Sequence, residues 1–342
     1  MASLPVFKQG FGAMGLSAFY SSAASTTEEQ AAAVVRRAIE RAGPSPLLIN
    51  SACFYGALNV DGYGSNLRLL RKCLAGVDRS RVHIMVKVGM DTRAPVASTG
   101  TQWTLAMGAA AIAADIDYAL EQLGVEFIDT VVLCRAPRDV PIEEPVAAMA
   151  AAVAAGKARA IGLSEANAHF IRRAHAVHPV WCIEQEFSLW SRDIEAEVLP
   201  TCRELGIKVV AYSPLGRGML TGALRSRADE AFGGRDYRLV GQPRFAEGAF
   251  AANLALVNAA AAAVATRLGC SMGQLALAWL HAQGDDIIPI PGTSRVAHLD
   301  ANMDAAAIAL TKADVEELNS IFDPARVIGD RYPGMHMQFQ TL

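Results

Sequence analysis

No long run of one charge occurs in this sequence: 31 basic residues stand against 34 acidic ones over 342 positions, a net charge of −3. Without a basic stretch to track phosphates, neither nucleic acid nor an acidic membrane surface is an expected partner. The six cysteines (Cys53, Cys73, Cys134, Cys182, Cys202, Cys270) include no Cys-x-x-Cys pair. A disulfide framework or zinc cluster is therefore not expected, and scattered single thiols suit a reducing cytoplasm. The first residues lack the basic-then-apolar order of a signal peptide. No apolar stretch reaches the ~18 continuous residues of a membrane span. The longest candidate, 249–265, is alanine-rich, contains Asn253 and Asn258, and reads as a buried helix.

What the chain does have is apolar residues, 52% of the total, many of them alanine. Strand-like runs recur near 10–16, 47–50, 82–88, 127–133, 158–163, 181–186, 207–212 and 286–290. Helical patterns separate them, at 26–41, 65–74, 105–123, 142–155, 168–176 and 194–205. Further helices follow at 250–268, 272–283, 296–303 and 312–321. Eight strands alternating with helices through short connections predict an α/β fold, a (β/α)8 TIM barrel. It is expected to be a single domain over 1–342, with a lid-like insertion at 216–248 and a C-terminal tail at 323–342. Arg225, Arg227, Arg235 and Arg238 are expected to lie exposed on that insertion.

In such a barrel the chemistry sits at the carboxyl ends of the strands. Those ends carry Asn50 and Tyr55, Lys87, Cys134, Ser164 with Glu165 and Asn167, Gln185, Tyr212 with Ser213, and the segment 291–295. This set shows no carboxylate pair, no metal-ligating cluster and no Gly-x-Ser-x-Gly elbow, which weakens glycosidase, metal hydrolase and serine hydrolase readings. A tyrosine and a lysine ending neighbouring strands suggest proton transfer, because an ammonium favours the phenolate and eases proton donation. Plainer readings compete: a tyrosine packing by its ring, a surface lysine, a loop-capping Asn50, and Cys53 and Cys134 as buried fillers. Trp103 and Trp190 fall in loops suited to lining a pocket.

Gly206-Ile-Lys-Val-Val-Ala-Tyr-Ser-Pro-Leu-Gly-Arg-Gly-Met-Leu-Thr-Gly222 resembles the seventh strand and cofactor loop of the aldo-keto reductases. Ile161-Gly-Leu-Ser-Glu165, Gln185, and Ile288-Pro-Ile-Pro-Gly-Thr-Ser-Arg295 through Asn302 extend the resemblance over nearly the whole chain. It implies NADPH/NADP bound without a Rossmann fold. Ser164 and Gln185 would hold the carboxamide, and Tyr212 would stack on the nicotinamide. Ser213, Pro214, Leu215, Gly216 and Arg217 would follow the pyrophosphate. Gly292, Thr293, Ser294 and Arg295 would take the 2′-phosphate, and Asn302 the adenine. A guanidinium beside hydroxyl and backbone donors suits a phosphate. The family often has lysine where Ser294 stands, and an acid and a glutamine where this chain has Ala301 and His298.

The family's chemistry rests on Asp, Tyr, Lys and His. Tyr55 and Lys87 match two of these roles, whereas Asn50 stands at the aspartate position and Cys134 at the histidine position. Asn50 can accept a hydrogen bond from Lys87 without neutralising it, so the field on Tyr55 is expected to be stronger than usual. Cys134 is a weak donor. His83 lies at the start of its strand, the wrong end of the barrel. The Asn50-Ser-Ala-x-Phe-Tyr-Gly56 stretch, with 64–70, 171–179 and 188–194, is similar to the fungal-type pyridoxal reductases. That similarity implies an NADPH-dependent reductase of small aldehydes or ketones, with pyridoxal going to pyridoxine. A broad carbonyl reductase and an NADP(H)-binding redox sensor, as the potassium-channel β subunits are thought to be, are the alternatives. The oligomeric state is left open.

Overall fold

Eight parallel strands form one sheet: β1 (Phe11–Gly12), β2 (Leu47–Ala52), β3 (Val82–Val88), β4 (Ile128–Leu133), β5 (Ala158–Ser164), β6 (Val180–Glu186), β7 (Lys208–Tyr212) and β8 (Ile287–Pro289). They pair in chain order, from β1 to β8. The computed structural model describes residues 4–20, 23, 25–93, 103–137, 139–229, 232 and 236–334. Arg235, other parts of the 216–248 insertion, most of the loop after Asp91 and the end of the tail lie outside the described residues.

The sheet closes on itself where backbone N–H groups of Gly10 and Gly12 donate to the carbonyls of Pro289 and Pro291, at 2.9 and 3.4 Å. Glycine makes this approach possible. A Cβ on Gly12 would meet the Ile290 carbonyl at 2.7 Å, and one on Gly292 would meet the Gly12 carbonyl at 2.5 Å. The barrel's interior is filled by Leu48, Met85, Val132, Cys182, Val210, Ile288 and Ile290, with Phe7 packed among them. Phe7, Trp181 and His83 pack together, the His83 ring lying edge-on to Phe7 at 4.9 Å and tilted against Trp181 at 5.0 Å. A larger apolar layer joins the outer faces of the strands to the helices. Burial on both faces is why the strands read as continuous apolar runs.

Helix α1 (Glu28–Arg41) starts where Thr27 and Gln30 form a reciprocal capping box with acids in the first turn. The helix expected at 105–123 begins only at Ala109, because Thr104–Leu105 pairs antiparallel with Met90–Asp91. The helix expected at 194–205 is confined to Val198–Leu205, after a tight turn at Asp193–Glu195.

The helical run Glu247–Leu268 is long and apolar enough to cross a membrane by length and composition. Here Phe250, Leu256 and Val257 pack into the core, and Arg267 near its end pairs with Asp314 and Glu317. The Asn253 amide on the same run brackets Ile328, donating to its carbonyl at 2.9 Å and accepting its N–H at 3.0 Å. Arg238 departs from the exposed position expected of it: it is buried and forked onto the Asp236 carboxylate at 2.8 and 2.9 Å.

Candidate active site

Side chains alternate across a strand, so residues two beyond the interior layer face the barrel mouth. Starting from Leu48, Met85, Val132, Cys182 and Val210, this step gives Asn50, Lys87, Cys134, Glu184 and Tyr212. β2 runs on to Ala52, which makes Asn50 a buried strand residue opposite Met85 and excludes the loop cap considered above. The chain then turns, and the Tyr55 carbonyl is held by the Ser65 hydroxyl at 3.1 Å and the Asn66 N–H at 3.2 Å.

Lys87 Nζ donates to Asn50 Oδ1 at 2.7 Å and to both Glu184 oxygens at 2.8 and 3.0 Å. Asn50 Nδ2 completes the triangle by donating to Glu184 Oε2 at 2.8 Å. The lysine lies 4.9 Å from the centroid of the Tyr55 ring. Lys87, Glu184 and Asn50 are 4%, 3% and 2% exposed, so their charges are not shared with bulk water. Burial opposes the lysine's charge, yet Glu184 and Tyr55 beside it hold Lys87 above the ordinary lysine range. Burial raises the Tyr55 phenol, against the downward pull of Lys87. The pair is therefore a neutral phenol beside a fixed ammonium.

The cofactor candidates lie at the carboxyl ends of β5 and β6 and in the segments after β7 and β8. Gln185 Nε2 donates to the Ala166 carbonyl at 3.0 Å, while its Oε1 is buried without a partner among the described residues. A carboxamide NH2 is the donor such an oxygen lacks. Ser164 is buried at the end of β5. After β7, Ser213 and Arg217 take positive φ of 48° and 55°, as do Gly216 and Gly218 at 53° and 99°. Gly216 lies against the Trp190 ring, where a Cβ would come within 2.7 Å. Glu165 also has a positive φ, 52°, so strained backbone gathers at this end of the barrel. After β8, Gly292, Thr293, Ser294 and Arg295 lead into the helix Val296–Asp304, with the Thr293 hydroxyl accepting from the Arg295 N–H at 3.1 Å. An exposed arginine at a helix start suits an anion. Asn302 is buried on that helix.

Residues 10–323 match the aldo/keto reductase family. The chain belongs to that family. Among solved structures, a glycerol dehydrogenase from Gluconobacter oxydans superposes with a TM-score of 0.80 at 22% identity, over 97% of this chain and 95% of that one. An aldo-keto reductase from Bacillus halodurans, in its holo form, gives 0.72 at 22% identity over 94% of each chain. An aldo-keto reductase from Klebsiella pneumoniae in complex with NADPH gives 0.66 at 24% identity, over 94% of this chain and 93% of that one. These likenesses carry the fold.

The geometry of this aldo/keto reductase departs from the sequence reading in two places. The mouth holds three buried glutamates (Glu165, Glu184 and Glu186), and Glu184 supplies the carboxylate that Asn50 cannot. Glu184 thereby opposes the field of Lys87 on Tyr55, where a field stronger than usual was expected. Second, Arg217 turns inward to Glu186 at 3.4 Å and to the Tyr332 hydroxyl at 2.9 Å. A phosphate along this loop would compete with both. Cys134 is fully buried, and burial pushes its thiol up to about 12, which favours the filler reading over a proton donor.

Sequence reasoning also passed over Arg135 and the segment around Arg331. Arg135 is half-buried, donates to the Cys134 carbonyl at 2.6 Å, and forms no ion pair with any described residue. Arg331 grips Glu165 with two bonds of 3.1 and 3.0 Å, and the Tyr332 hydroxyl lies 3.1 Å from that of Tyr212. Tyr212 itself donates to Glu165 at 2.8 Å. The tail therefore closes one side of the mouth.

Proposed function

We propose that this aldo/keto reductase uses NADPH to reduce small carbonyl compounds, with pyridoxal to pyridoxine as the leading reaction. The observation that carries the reading is a neutral Tyr55 phenol beside a buried Lys87 ammonium with its own counter-ion, next to a buried carboxamide acceptor on Gln185. NADPH, which the Klebsiella relative holds, would supply hydride to the carbonyl carbon. Gln185 and Ser164 would orient its carboxamide, Tyr212 would cover the ring, and Thr293, Ser294 and Arg295 would meet the 2′-phosphate.

Tyr55 gives its proton to the carbonyl oxygen, and Lys87 offsets the phenolate left behind. A second hydrogen bond to that oxygen is absent at Cys134, and losing such a donor costs roughly 100- to 1000-fold in rate. Pyridoxal carries a hydroxyl next to its aldehyde that reaches the same oxygen from within the substrate. This favours pyridoxal over an unsubstituted aldehyde. The redox-sensor alternative drew its force from an incomplete catalytic set, and the Lys87–Glu184 pair removes half of that argument.

Steady-state NADPH oxidation with pyridoxal, its 3-O-methyl ether and Tyr55→Phe tests the reading. Sustained turnover with pyridoxal, at least tenfold slower with the ether and lost in Tyr55→Phe, is expected. Equal rates for the two aldehydes would remove the substrate assignment. Tight NADPH binding without turnover would favour the sensor.

A further inference from the structure

The Lys87 ammonium meets two partners of different charge, a neutral amide from β2 and a carboxylate from β6. We propose that Glu184 is the positioning residue that keeps Lys87 protonated beside Tyr55, and that Asn50 is neutral because Glu184 is charged. The two strands have exchanged the acidic and neutral roles. The kinetic consequence rests on the reductase reading above; the electrostatic one does not.

Charge balance carries the argument. One ammonium and one carboxylate, each at most 4% exposed, lie 2.8 Å apart. An ammonium buried this deeply without a counter-ion loses its proton, because desolvation penalises only the charged form. The amide also has a fixed orientation: its oxygen takes a Lys87 proton and its nitrogen gives one to Glu184. An aspartate at position 50 would turn that second contact into two carboxylates at hydrogen-bond distance. Such a pair cannot both ionise and must share a proton. The titratable groups facing Lys87 are Tyr55, Glu184 and the thiols of Cys134 and Cys182, with Tyr332 approaching Tyr55 from the tail. Both thiols are held neutral by burial, so Glu184 is the anion of the group.

Four proteins test this: the wild type, Glu184→Gln, Asn50→Asp, and the double variant N50D/E184Q. Two quantities are read, the pH profile of kcat/KM and the titration of Tyr55 followed by NMR of its labelled ring carbon, assigned with Tyr55→Phe. In E184Q the alkaline limb is expected to move down by about two pH units, which lowers kcat/KM by up to roughly 100-fold at the alkaline edge of the wild-type plateau and little at its acid side. Tyr55 should titrate at higher pH there, since its cation has been lost. The double variant restores a carboxylate on the other side of the lysine. It should recover both readouts to within about tenfold of wild type, while N50D alone should lose activity.

A residue with a purely structural role would change unfolding in urea without moving either titration. An unmoved limb in E184Q, or a Tyr55 titration that is unchanged or lowered, would overturn the proposal. A folded double variant no better than E184Q would do the same. Should E184Q fail to fold, the charge-conserving double variant against N50D alone decides. If the wild type shows no turnover, the reductase reading falls, and the Tyr55 titrations still decide the role of Glu184.

Discussion

Lys87 carries a full charge at 4% exposure, and most of what distinguishes this site follows from how that charge is met. Replacing it with methionine leaves Glu184 buried and unopposed, which should destabilise the fold by about 3–5 kcal/mol in urea unfolding. The pH sign is set by the raised pKa of Lys87 in the fold. Its contribution is present below the unfolded value of about 10.4 and fades as pH rises through the folded one. Tyr55 and Lys87 were legible in the sequence because each ends an apolar run. Glu184 was passed over beside Gln185, whose resemblance-based role drew attention away from its neighbour. Period-two stepping from the apolar Cys182 places Glu184 in the same layer as Lys87, and that signal was available. Arg331 and Tyr332 could not be found this way: they sit in an irregular tail, and only the fold brings them to Glu165 and Tyr212.

Among the elements, β2 to β8 were readable to within about two residues at each end, since buried parallel strands present unbroken apolar runs. Of the run near 10–16, by contrast, only Phe11–Gly12 pairs in the sheet, and Met14–Leu16 forms a short helical turn. Glycines at positive φ after the helices, such as Gly124 and Gly206, mark clean helix ends. The errors fell where tertiary contacts override local pattern. The short antiparallel pair at Met90–Asp91 takes residues from the following helix, and Asp236 draws Arg238 inward. The loop after β7 depends on its own geometry. In Gly216→Ala the added methyl would strain a φ of 53° and press on the Trp190 ring at 2.7 Å. Overpacking of this kind costs about 1–3 kcal/mol. NADPH affinity is expected to fall about tenfold, measured by cofactor fluorescence; unchanged affinity would remove this loop from the cofactor site.

For the whole molecule, closure of the barrel puts chemistry at one end and a packed base at the other. His83 belongs to that base: it is 2% exposed, packed against the rings of Phe7 and Trp181, and 2.8 Å from the Thr130 hydroxyl. Burial lowers its pKa to about 4 from 6.5. A depressed folded value means the native state binds fewer protons. The stability that His83 contributes is therefore present above about pH 6.5 and is lost as pH falls towards 4, at most about 3 kcal/mol. Urea unfolding across this range should show the loss, flattened in His83→Gln. Strand direction in a parallel barrel puts His83 at this end and the proposed catalytic pair, Tyr55 and Lys87, at the other. The most direct measurement of the central claim is the mass of pyridoxine formed from pyridoxal with NADPH deuterated at both nicotinamide C4 positions. Product carrying a single deuterium on its new carbinol carbon is expected, formed by the wild type and not by Tyr55→Phe. Unlabelled pyridoxine, or equal labelled product from Tyr55→Phe, would contradict it.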